Sequence, residues 1–415
     1  MNRTEGGIPL EIRTGKDSIQ PLQRFASPAE RPASVTDRFT SEDTSSDSGV
    51  SMDRELRKMA MCRRAESAGN CGISAQMDGE YTNAFHRRTG WTGADGTYSV
   101  PLSDGRTLWL FGDTLIDSVL PSGAHSGKTL MINNSIALQK GSDPSTARFI
   151  TGGTDSDAAS FFVPPDGKGW FWIHDAVPDC GDGKILVFLD QIEKSGEGVF
   201  GFRQTGTWTA EVEVKDGDVS IKRYGKLPHF REGKDGSPTT AFGASILTLG
   251  DWTYIYGTQD YGARKDLIVA RKPSGKESDD NTCWQFFTGE GWSSRMDDMR
   301  PICNDVGNEL SVHRTEKGTF VLTSQKAGFD AEIYLKTAPA PTGPWSAPQT
   351  VWTAPESSNS ILTYNAKAHP ELSDRQKGLL ISYNVNATTS EAIMEDADIY
   401  RPRFIRVKGA LTGFE

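Results

Sequence analysis

Short apolar runs, separated by glycine-rich turns, dominate the chain from about residue 91 onward. Their spacing is that of strands rather than helices. The segment WTGADGTYSVPLSDGRTLWLFGDT (residues 91–114) carries two such runs joined at Ser103-Asp104-Gly105. Val100, Leu108, Leu110 and Phe111 are the apolar positions of this strand pair, and MINNSIALQK reads as a third strand. The plan recurs in DAASFFVPPDGKGWFWIHDA (157–176), where FFVP and GWFWIHDA form the expected inner pair around Pro165-Asp166-Gly167. It recurs again from Thr240, Glu309 and Asn365, giving units over about 91–140, 157–215, 240–290, 308–353 and 362–408. Five repeated all-β units predict a single five-bladed β-propeller over residues 83–410. A blade cannot bury both of its faces alone. Trp109, Trp170, Trp172, Trp252 and Trp345 are therefore expected mainly to pack between blades. Ring closure should place the last unit beside the first, with the segment before Trp91 a candidate for its outer strand.

The N-terminus breaks this pattern. Residues 1–58 are expected to form a largely disordered, partly helical extension, rich in Ser, Thr, Pro and charged residues. MDRELRKMAMCRRAE, from Met52, reads as a short helix. The chain of 415 residues has 43 Gly and 10 Trp, which suits Trp-bearing strands divided by turns. Its formal net charge of −10 disfavours nucleic acid and anionic membrane as partners. No apolar run reaches membrane-spanning length and no hydrophobic signal core opens the chain, which leaves the location open. A monomer is expected. Of the 5 Cys, the pairs Cys62–Cys71 and Cys283–Cys303 could form local bridges, or stay reduced; Cys180 is left over. Asn2, Asn133 and Asn386 lie in glycosylation sequons.

The candidate chemistry comes from acids at strand ends. Asp95 precedes the first strand of its unit and Asp113 follows the second, 18 positions on; Asp157 and Asp175 repeat the same spacing. Glu309 opens the inner strand of the fourth unit, and neutral polar residues such as Thr240, Thr258, Asn365 and Tyr383 continue the ring. Paired carboxyls of this kind suit glycosidic hydrolysis, in which one gives a proton to the leaving oxygen and the other attacks or activates water. Asp95 and Asp113 are the expected pair, Asp95 as base or nucleophile and Asp113 as acid, with Glu309 an alternative acid. Asp157, Asp175, His174 and His369 are expected to bind substrate or to hold structure. No HExxH, EF-hand, phosphate loop, dinucleotide fingerprint or nucleophile elbow is present. No cofactor is required, and Asp and backbone oxygens leave room for structural calcium.

The same residues carry a family resemblance. WTGADGTYSVPLSDGRTLWLFGDT, the YIYGT and LIVARKP strands, AEIYLKTAPAPTGPW, AKAHPEL, LLISYN and YRPRFIRV together resemble the DUF4185/DUF5005 type of five-bladed propeller, related to arabinan-degrading and clan-F-like glycoside hydrolases. The resemblance implies a carbohydrate substrate, an extracellular setting, and Asp95 and Asp113 as the acids to carry forward. It departs from the three-acid arabinanase pattern at Thr239-Thr240-Ala241, where the third unit opens without an acid. The leading expectation is thus a glycoside hydrolase acting on a polysaccharide or glycoconjugate, in the manner of an endo-arabinanase. A non-hydrolytic carbohydrate-binding or protein-interaction propeller is the main alternative, and a propeller lyase or cyclase the next.

Overall fold

The computed structural model describes residues 72–409 and 412–413, apart from 155–156, 179–183, 197–200 and 276–280. The expected N-terminal extension, its helix, Cys62, Cys71, Cys180 and the Asn2 sequon lie outside the described residues. The described chain is almost entirely β, in a propeller-like arrangement of five principal antiparallel sheets. Sheet 1 holds Tyr98–Pro101, Arg106–Phe111, Ser135–Lys140 and Arg148–Ile150; sheet 2 holds Trp170–Pro178, Lys184–Lys194, Phe202–Lys215 and Asp218–Lys226. Sheet 3 begins with Thr239–Leu249, Trp252–Asp260 and Lys265–Pro273, and sheet 4 consists of Ser311–Arg314, Phe320–Ser324, Glu332–Ala338 and Gln349–Thr353. Sheet 5 contains Ile361–Asp374, Gly378–Ala387 and Pro402–Lys408. Its outer strand is Ser74–Met77, paired antiparallel with the last strand of the chain. The folded region therefore starts before residue 83, earlier than the apolar pattern indicates.

The core explains why the second and third strands are nearly continuous apolar runs. Each is covered on both faces, so alternate side chains serve two neighbouring sheets. Leu108 and Leu110 pack with Phe171, Val187 and Ala210 of sheet 2, whereas Trp109 and Phe111 turn the other way, to Leu380 and Phe404 of sheet 5. Leu186 and Phe188 leave sheet 2 for Phe242, Ile255 and Ile268 of sheet 3. Sheets 3 and 4, and then 4 and 5, share cores in the same way. The first strands of the five sheets contact one another in a closed cycle. A short helix, Gly79–Ala84, seals the seam between sheets 5 and 1. Asp78 caps it by accepting from the Tyr81 amide and also holds Arg406 at 2.7 Å.

One element departs from the repeat. Trp170–Pro178 is the first strand of its sheet, not the second, and FFVP forms no strand there. The Asn134 side chain takes the ladder positions of Phe162: its Oδ1 accepts from the Phe162 amide at 2.7 Å and its Nδ2 donates to the Phe162 carbonyl at 2.9 Å. Phe162 is therefore buried and satisfied without strand pairing. Asp157 belongs instead to a separate two-stranded pairing of Asp157–Ala159 with Gly152–Thr154. Cys283 and Cys303 are not joined by a disulfide.

Candidate active site

Because the five first strands run in the same sense around the ring, their starts meet at one end and their later residues at the other. The starts surround a cleft of about 530 Å³, lined among others by Asp95, Asp113, Glu309, His174 and Tyr364. Later positions enclose a smaller cavity of about 240 Å³ that includes Ser99, Asp175, His369 and Glu371.

Asp95 and Asp113 face each other across the backbone, Asp95 just ahead of the first strand of sheet 1 and Asp113 just past its second. The Asp95 amide donates to the Asp113 carbonyl at 3.2 Å, and the Gly112 amide donates to the Asp95 carbonyl at 3.0 Å. The absence of a side chain at Gly112 makes this approach possible, since a Cβ there would lie 2.4 Å from Asp95 Oδ1. Two phenols converge on the other oxygen: Tyr364 and Tyr400 donate to Asp95 Oδ2 at 2.9 and 3.1 Å. Asp113 Oδ1 accepts from Trp172 Nε1 at 3.0 Å and from Asn133 Nδ2 at 3.3 Å. Burial, followed by the charges of Asp113 and Glu309, pushes the Asp95 carboxyl well above its ordinary range, against the two phenol bonds. Burial also pushes Asp113 up, to about 6, opposed by the Trp172 and Asn133 bonds. Two interacting carboxyls with raised proton affinity titrate as a pair.

Glu309 reaches the same cleft just ahead of the first strand of sheet 4. Its Oε1 accepts from Asn365 Nδ2 at 2.8 Å, and its Oε2 forms an ion pair with Lys367. Lys367 is buried, and its ammonium lies 4.2 Å from the centre of the Tyr98 ring. Burial lowers the proton affinity of this lysine, and the Glu309 charge opposes the shift. On sheet 2, His174 Nε2 meets Asp190 Oδ2 at 2.7 Å, and its Nδ1 meets the Tyr98 hydroxyl at 3.3 Å. Burial pulls the His174 imidazole down, but the Asp190 charge and hydrogen bond outweigh it and leave it raised.

The structure thus brings Asp95, Asp113, Glu309 and His174 into one cleft. Three other sequence candidates lie elsewhere. Asp157 is exposed and lines neither cavity. Asp175 directly follows His174, but a register irregularity between Ile173 and Ala176 sends it to the smaller cavity. There its two oxygens accept from the Ala176 and Ile246 amides at 2.8 and 2.7 Å. His369 is buried at the same end, its ring nitrogens 2.5 Å from Ser99 Oγ and 2.8 Å from Ser382 Oγ. Sequence reasoning missed Tyr364, Tyr400, Asn133, Lys367 and Asp190 as cleft partners. Of the sequons, Asn133 is bonded to Asp113, and Asn386 is buried against the Tyr364 hydroxyl at 3.2 Å. Among the described residues, no group of three or more His, Cys, Asp or Glu side chains is arranged to hold a metal ion. No helix among them is long and apolar enough to cross a membrane.

A presumed hydrolase from Bacteroides ovatus has a similar fold, with a TM-score of 0.66 at 20% identity over 82% of this chain and 92% of its own. Bacillus subtilis levansucrase gives a TM-score of 0.48 at 13% identity, over 86% of this chain and 92% of its own. An α-L-arabinofuranosidase from Podospora anserina gives 0.44 at 11% identity, over 77% and 92%. At 20% identity the likeness to the Bacteroides ovatus protein is one of fold. No curated protein matches the chain. Residues 78–410 match the family model described as a domain of unknown function, DUF5005. That span takes in all five sheets apart from the outer strand Ser74–Met77, and every cleft residue described above, and the chain belongs to the DUF5005 family.

Proposed function

We propose that the chain is a single five-bladed β-propeller that hydrolyses glycosidic bonds in a polysaccharide or glycoconjugate, in the manner of an endo-arabinanase. The observation that carries this reading is the Asp95–Asp113 pair: two carboxyls on backbone segments hydrogen-bonded to each other, both of raised proton affinity, lining a cleft with Glu309 among its other acids. Two carboxyls of unequal proton affinity offer an acid and a carboxylate at the same pH, which glycosidic cleavage requires. Trp170, Trp172 and Phe202 add flat apolar surface to the cleft, suited to the C–H faces of a sugar ring, while the acids and amides suit its hydroxyls. Glu309, tied to Asn365 and Lys367, fits a role in holding sugar hydroxyls, or as an alternative acid. A lyase or cyclase would call for a deep apolar pocket, whereas several acids line this cleft.

The test is product release from a glycan panel that includes D- and L-arabinans, with the Asp95→Asn and Asp113→Asn variants alongside. Cleavage by the parent and its loss in the folded variants supports hydrolysis at this site. Saturable binding of a glycan with no cleavage would replace it with a carbohydrate-binding propeller.

A further inference from the structure

The smaller cavity, at the opposite end of the first strands from the cleft, gathers acid that the protein does not neutralise. Asp175 and Glu371 are both half-buried, and both line its volume of about 240 Å³. Among the described residues neither carboxyl forms an ion pair, and the ammonium in the lining, Lys367, is committed to Glu309 at the cleft end. Burial pushes Asp175 up to about 7, against the Ile246 and Ala176 amides and the charges of Lys367 and His174. Burial also pushes Glu371 to about 7; Ser99 opposes this and the Asp175 charge adds to it.

The directions of the hydrogen bonds agree with ionised acid there. Ser99 donates to Glu371 Oε1. Its one proton is then spent, so His369 Nδ1–H donates to Ser99 Oγ at 2.5 Å and Nε2 accepts from Ser382 Oγ at 2.8 Å. The chain from Ser382 through His369 and Ser99 thus turns its protons toward a Glu371 carboxylate. His369 stays neutral within it, held down by burial and then by the charges of Lys367 and Arg406. His313 lines the same cavity, only 5% exposed, and neither of its ring nitrogens has a hydrogen-bond partner. Burial pulls its imidazole down to about 4, against the Thr412 backbone, so at pH 7 it is neutral and one nitrogen carries an unused lone pair. Buried polar groups are ordinarily bonded and buried charges paired. Two carboxyls and a neutral imidazole around one volume call for a partner with positive charge and several donors.

We propose that this cavity is a second binding site, separate from the cleft, for a small primary ammonium on a short apolar stem. The N–H donors of the ammonium meet Glu371, Asp175 and His313, and the stem lies against Ile246, Leu247 and Val312 of the same lining. The site stands whether or not the cleft cleaves glycans. A primary ammonium keeps its charge to about pH 10. Both carboxyls lose their protons around pH 7, so affinity rises with pH through that range.

The experiment is isothermal titration calorimetry of the full chain with propylammonium chloride at pH 6 and pH 8, with 1-propanol as the neutral counterpart. The parent should bind propylammonium saturably, about tenfold or more tightly at pH 8 than at pH 6, and should not bind 1-propanol. Glu371→Gln, which keeps an acceptor for Ser99, should weaken binding about tenfold or more. His313→Phe, which removes the lone pair, should weaken it several-fold and serves if Glu371→Gln does not fold. Asp113→Asn should bind as the parent does, because its change lies in the cleft. No saturable binding of propylammonium, equal binding of 1-propanol, or an affinity independent of pH would each overturn the proposal. Loss of binding in folded Asp113→Asn with retention in folded Glu371→Gln would also overturn it, by placing the cation in the cleft.

Discussion

The two cavities at opposite ends of the ring of first strands hold carboxyls that look alike by charge and burial but differ in surroundings. At the cleft end, Asp113 is pushed up to about 6; at the other end, burial pushes both Asp175 and Glu371 to about 7. Asp175 has both oxygens committed to backbone amides, and Glu371 accepts from Ser99 in a cavity less than half the volume of the cleft. Asp95 and Asp113 are instead bonded through one oxygen each, beside open volume. Raised proton affinity is thus common to both ends. The room beside the carboxyls separates the two ends.

Substitution at each end gives the largest expected contrast. Asp113→Asn keeps the acceptor used by Trp172 and Asn133, yet should lower kcat by about 10³-fold or more. Glu371→Gln keeps the acceptor used by Ser99 and should change kcat by less than about threefold, because it touches no cleft atom. Comparable losses from both folded variants, in steady-state assays on arabinan, would erase the distinction. Asp95→Asn comes next: cleavage of the glycan should drop about 10²-fold or more in the same assay.

A smaller effect lies in pH. Activity should decline as pH drops below about 6, because cleavage needs one carboxyl of the pair ionised and Asp113 then takes up a proton. Stability should move the opposite way. The Asp113 value is raised from 3.8 to about 6 on folding, so between those values the folded state binds more proton and loses stability as pH rises. Above about 6 the penalty is complete, on the order of 3 kcal/mol. Asp113→Asn should therefore melt higher than the parent near pH 7 and gain little near pH 4. A gain of equal size at both pH values would locate the effect in packing instead of charge.

Much of the fold was legible because propeller strands leave a local record. The pair around Ser103-Asp104-Gly105, the YIYGT and LIVARKP strands, and the use of a segment before Trp91 to complete the last sheet all follow from short apolar runs and turn residues. The second copy of the repeat misled because spacing reports neither pairing nor direction. Asn134 removes Phe162 from any ladder, and an irregularity inside one strand sends His174 and Asp175 to different cavities. The acids of the cleft were visible as strand-end residues. Their partners were not: Tyr400 and Asp95 are 305 positions apart, and only ring closure brings them together.

The most direct test of this account is a side-by-side digestion of D- and L-arabinans by the parent, Asp113→Asn and Glu371→Gln, with folding checked by thermal melting. The account predicts oligosaccharide release by the parent and by Glu371→Gln, and none by an Asp113→Asn protein that melts at or above the parent temperature. Release by folded Asp113→Asn at the parent rate, or none by the parent, would contradict it.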